Sequence, residues 1–87
     1  MNRFSRELRS MPIWLVGEYL QELGGQRSAQ WSFAGDGGGW QADLTQLEDF
    51  VIGSLHVGQV RLDWQSSDEA LTIIWPLLEK KLLRAGG

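Results

Sequence analysis

Leu55-His56-Val57-Gly58-Gln59-Val60-Arg61-Leu62-Asp63-Trp64 runs through Gln65-Ser66-Ser67 into a helical pattern that ends in Gly86-Gly87. Alternating apolar and polar residues in the first part mark a strand with one buried face, because successive side chains point to opposite sides. Apolar parity shifts between Leu55/Val57 and Val60/Leu62/Trp64, so Gly58 marks either a hairpin turn or a bulge. Beyond the serines, Leu71, Ile74, Trp75, Leu78 and Leu82 form the stripe of an amphipathic helix, and Ile73 and Leu77 widen it toward a second contact. Ser66 and Glu69 are spaced as a capping box, Asp68 and Glu69 suit the positive end of the helix dipole, and Pro76 predicts a bend of roughly 20° or more.

Working back toward the N-terminus, Phe50-Val51-Ile52 follows a turn expected around Gln46 to Asp49. Before it, Trp31 and Phe33, then Trp40, Ala42 and Leu44, alternate with polar residues on either side of Gly35-Asp36-Gly37-Gly38-Gly39, which reads as a hairpin. Pro12 to Leu23 reads as a one-sided helix, opened by Pro at its first turn and stopped by Gly24-Gly25. Its stripe is Ile13, Val16, Tyr19, Leu20 and Leu23, and Trp14 falls nearly opposite. Arg3 to Arg9 reads as a short edge strand. The expected architecture is α+β, a single domain over 1–87 with two helices packed on one face of an antiparallel sheet.

Composition narrows the chemistry. A hydrophobic fraction of 43% with five Trp in 87 residues is enough to order one domain. The absence of Cys excludes disulfides, thiolate nucleophiles and Cys-based metal sites. No apolar run has the length of a signal peptide or a membrane span, so a cytoplasmic protein without membrane contact is expected. The net charge of −3, with basic residues gathered near both ends, disfavours a nucleic-acid partner.

Few residues invite a chemical reading. The glycine tract lacks the Gly-Lys-Ser/Thr ending of a phosphate loop and does not open a helix. His56 has no second His or Cys at ligand spacing and reads as a surface residue of the polar sheet face. Glu48-Asp49 and Asp68-Glu69 fit a turn and a helix start. Trp31, Trp40 and Trp64 share the apolar parity of the sheet and so belong to the core; exposed instead, they would stack bases in a single-strand binder. No catalytic residue, metal site or cofactor is expected, and the chain reads as non-enzymatic. Partner binding or self-association is expected at off-stripe Trp14 and on the polar face, where Gln41, Asp43, His56, Arg61 and Asp63 are placed.

Two resemblances add to this. Leu83-Arg84-Ala85-Gly86-Gly87 looks like the ending of ubiquitin-like and sulfur-carrier proteins such as MoaD, which implies a carrier whose Gly86-Gly87 carboxylate is activated; a helix C-cap selects the same glycines. Ile13-Trp14-Leu15-Val16-Gly17-Glu18-Tyr19-Leu20 closed by Leu23-Gly24-Gly25, with Gly53-Ser54-Leu55-His56-Val57-Gly58-Gln59-Val60-Arg61-Leu62 before a terminal helix, resembles the C-terminal domain of MoaD-related molybdopterin biosynthesis proteins. That resemblance implies the TBP-like β-α-β4-α fold and a link to molybdopterin or sulfur transfer.

Overall fold

The computed structural model describes residues 1–84; the Gly86-Gly87 tail lies outside the described residues. In chain order the elements are β1 (Asn2–Arg9), α1 (Ile13–Glu22), β2 (Gly25–Ala29), β3 (Ser32–Gly35), β4 (Trp40–Ile52), β5 (Leu55–Ser66), α2 (Asp68–Ile73) and α3 (Trp75–Arg84). The strands form one antiparallel sheet in the order β1-β5-β4-β3-β2. This is the expected α+β, β-α-β4-α order, with β1 at one edge, β2 at the other and β4 at the centre.

Alternation decides which face is covered. On β4 and β5 the buried side chains are Trp40, Ala42 and Leu44, and Val60, Leu62, Trp64 and Ser66, all on one face. Val16 and Leu20 of α1, Ala70 of α2, and Trp75, Leu78 and Leu82 of α3 close the core over that face. Inside it the aromatic rings form a chain. Trp40 stacks on Trp64 with centroids 5.1 Å apart, Trp64 meets Trp75 edge-on at 5.3 Å, and Trp75 meets Phe4 at 4.8 Å. The Trp40 indole lies against Gly25 and Gly35, which are paired directly across β2 and β3; a Cβ on Gly35 would overlap the ring. Trp40 and Trp64 are therefore core residues, at 5% and 0% exposure, as their parity predicts.

Four sequence expectations change. First, Gly25–Ala29 is a strand although it holds no β-branched or aromatic residue. It is an edge strand, held by its ladder to β3 and by the Arg27 guanidinium, which sits 5.2 Å from the Trp31 ring and 5.0 Å from Phe33. Second, Gln46 to Asp49 is not a turn. β4 continues for 13 residues, and its register with β5 slips between Leu47 and Phe50. Third, Gly58 is neither a turn nor the bulged residue: it stands on the unbroken strand β5, where this one residue faces two of β4, Glu48 and Asp49, a one-residue excess on β4. The true hairpin turn is Gly53-Ser54, with Gly53 at φ +60°.

Fourth, the terminal helix begins one residue later than the capping box implied. Ser67 is the N-cap and its hydroxyl accepts from the Ala70 N–H. Ser66 ends β5, is 1% exposed, and accepts a 2.8 Å bond from the Trp64 indole N–H. Pro76 does more than bend this helix: α2 and α3 are separate segments meeting at Ile74, because the proline can neither donate a bond to Thr72 nor fit the preceding turn. The terminal helix does meet the first helix as well as the sheet, with Lys81 donating to Glu22 at 2.6 Å, but Ile73 and Leu77 remain exposed at 54% and 48% and take no part in that contact.

Candidate interaction surface

Among the described residues, no helix covers the second face of the sheet. Arg3, Ser5, Glu7 and Arg9 of β1 stand opposite Gln65, Asp63, Arg61 and Gln59 of β5, which in turn face Gln41, Asp43, Thr45 and Leu47 of β4. Local bonds order this polar lattice. Ser5 donates to Asp63, the Arg61 Nε lies 3.2 Å from the Asp63 carboxylate, and Arg3 donates to Gln65 at 3.2 Å. Arg61 and Asp63 are partly exposed, so this pair adds little to stability, of the order of ~0.2–1 kcal/mol.

Beyond the end of β1 and the last partner of β3, β4 and β5 continue alone as a two-stranded arm. Phe50 pairs with Val57, and Ile52 with Leu55, so these four side chains share one arm face. Val57 has the parity of Gln59 and Arg61 on β5, so this apolar face continues the uncovered side of the sheet. Side chains brace the arm at its base. Gln59 donates to the Glu48 carbonyl at 3.1 Å, Gln46 donates to the Gln59 carbonyl at 2.9 Å, and the Arg9 guanidinium lies 4.1 Å from the Phe50 ring centroid.

The sequence-derived candidates fall in three different places. Trp14 projects from α1 at 57% exposure. Arg61 lies in the polar lattice on the opposite side of the sheet. His56 pairs with Val51 in the arm, where its Nδ1 is 3.9 Å from Asp49. Because β5 runs through Gly58 without a parity shift, His56 points to the opposite face from Arg61 and Asp63, which corrects its expected place among them. His56 lines an open depression with Ser10, Met11 and Pro12, at the approach to α1. Arg6 of β1 reaches Glu79 of α3 at 3.6 Å beside an open groove of about 520 Å³ between the two elements.

The apolar arm escaped the sequence reading. Its signal was present, since Phe50-Val51-Ile52 and Leu55-His56-Val57 flank a two-residue Gly53-Ser54 turn. Reading Gln46 to Asp49 as a turn hid it.

Among the described residues, no group of three or more His, Asp or Glu side chains is placed to hold a metal ion, and no helix is long and apolar enough to cross a membrane. The architecture defines a small α+β domain of TBP-like element order with one polar sheet face left open. Its sequence matches the archaeal MoaD-like protein family over residues 4–87, and the chain belongs to that family. No curated protein matches it.

Proposed function

We propose that this domain is a non-enzymatic accessory module that holds a partner protein of molybdopterin or sulfur-transfer chemistry, with Trp14 as the anchor of that contact. The observation that carries the reading is the placement of Trp14. It is 57% exposed on α1 of a chain in the MoaD-like family, while Trp40, Trp64 and Trp75 are all buried. An exposed indole leaves a large apolar area in water, and Trp is enriched where binding energy concentrates. Arg61 and His56, on the sheet and the arm, supply polar contacts to a partner large enough to wrap an edge.

The test is Trp14→Ser compared with the native chain in affinity capture from a lysate of the native host. The expected result is an unchanged far-ultraviolet circular dichroism spectrum together with loss of captured sulfur-transfer proteins. Unfolding by this substitution would place Trp14 in the core, and unchanged capture would remove it from the contact.

A further inference from the structure

We propose that the β4–β5 arm is a self-association surface, and that its occupant is the same arm of a second copy of this chain, packed about a two-fold axis. The inference rests on the arm and is independent of the Trp14 reading.

Its first support is area. Leu47, Phe50, Ile52, Leu55 and Val57 lie together on the uncovered face, with Ile52 57% and Leu55 60% exposed. Their accessible apolar surface is roughly 400 Å², the scale of the largest patch on a typical monomer, about 300–600 Å², which is often functional. Two such patches face to face bury about 800 Å² in total, the scale of a weak, transient interface, with Arg9, Gln59, Thr45 and Arg61 at its rim. A second copy therefore supplies enough surface for a weak dimer without any other contact.

Charge supplies the second support. An isologous interface sets each surface against itself, so a flank of one sign would repel its own image. The polar lattice beside the arm carries Arg3, Arg9 and Arg61 against Glu7, Asp43 and Asp63, three of each sign. This balance suits a copy of the same face and selects against strongly acidic or basic partners.

Stiffness is the third. A two-stranded ribbon is marginal by itself in water. Here the bulge, the Gln46 and Gln59 side-chain bonds to backbone carbonyls and the Arg9–Phe50 stack fix the base of the arm before any partner arrives. A rigid apolar arm loses less conformational freedom on docking.

Sedimentation equilibrium of the purified chain between about 1 and 500 µM reads the association directly, over the range where weak dimers form. The expected result is a monomer–dimer equilibrium that Leu55→Asp and Ile52→Asp each weaken at least about tenfold, with unchanged circular dichroism. Because the chain has no Cys, single substitutions also map the contact. Under mild oxidation Leu55→Cys should form a covalent dimer, and Trp14→Cys should stay monomeric. A native chain that remains monomeric throughout the range overturns the proposal. So does a dimer that persists in both aspartate variants, or one that cross-links at position 14 and not at position 55.

Discussion

Replacing Ser66 by Ala isolates one buried polar contact and tests where the terminal helix begins. The Ser66 hydroxyl is the acceptor for the Trp64 indole N–H at 2.8 Å, and the two residues are 1% and 0% exposed. Alanine leaves that N–H without a partner and without access to water, at a cost of about 1–3 kcal/mol. Against the roughly 4–13 kcal/mol of total stability usual for a chain of this length, that is a substantial fraction. The midpoint of thermal unfolding should fall by about 8–16 °C for a loss of ~2 kcal/mol. Trp64→Phe removes the donor and, through lost packing, costs roughly 1–3 kcal/mol. In that background Ser66→Ala should be nearly neutral, because the hydroxyl no longer has a donor to satisfy. Urea unfolding of the four proteins of this cycle, followed by circular dichroism, gives a coupling energy of about 1.5–2 kcal/mol. Ser67→Ala, which removes the true cap, should cost about 1 kcal/mol in either background. Refutation would come from Ser66→Ala costing only a few tenths of a kcal/mol, or costing the same with Phe at position 64.

Gly35→Ala should destabilise the chain by about 1–3 kcal/mol, because the added methyl overlaps the Trp40 indole in a packed core. Gly58→Ala, which meets nothing within 4 Å, should change stability by no more than about 1 kcal/mol in either direction. Equal effects in urea unfolding would show that the Gly35–Trp40 contact has no special consequence. Deleting Gly87 leaves partner capture intact if the domain acts through its folded surface. Loss of capture on that deletion, or a thiocarboxylate in the intact mass of protein from the native host, would assign the function to the Gly86-Gly87 carboxylate.

The legible parts of the fold are those where burial and periodicity agree. The stripe of α1 and the even-numbered residues of β4 and β5 follow from spacing, since each such element has one face in the core and one in water. β2 was illegible because four of its five residues are exposed and none favours a strand; it exists through backbone pairing to β3, a long-range cause that no local pattern records. The cap was misplaced for a related reason. Ser66 and Ser67 are chemically identical, and only the burial of Trp64 decides that the first serves the core while the second caps the helix.

The arm shows how one extra residue changes the meaning of a pattern. Counted from Trp40, Ala42 and Leu44, Phe50 and Ile52 have the parity of the core. The excess at Glu48-Asp49 resets β4, so both side chains cross to the uncovered face. β5 has no matching excess, and Leu55 and Val57 keep the parity of Gln59 and Arg61. The four apolar residues therefore meet on one side of the arm only because one strand bulges and the other does not. Without the bulge, Phe50 and Ile52 would point to one side and Leu55 and Val57 to the other, and neither side would hold a continuous patch. The unbroken alternation of β5 also leaves His56 on the opposite face from Arg61. The position of the bulge thus sets the apolar surface available for self-association, while the parity of β5 sets which polar side chains flank it.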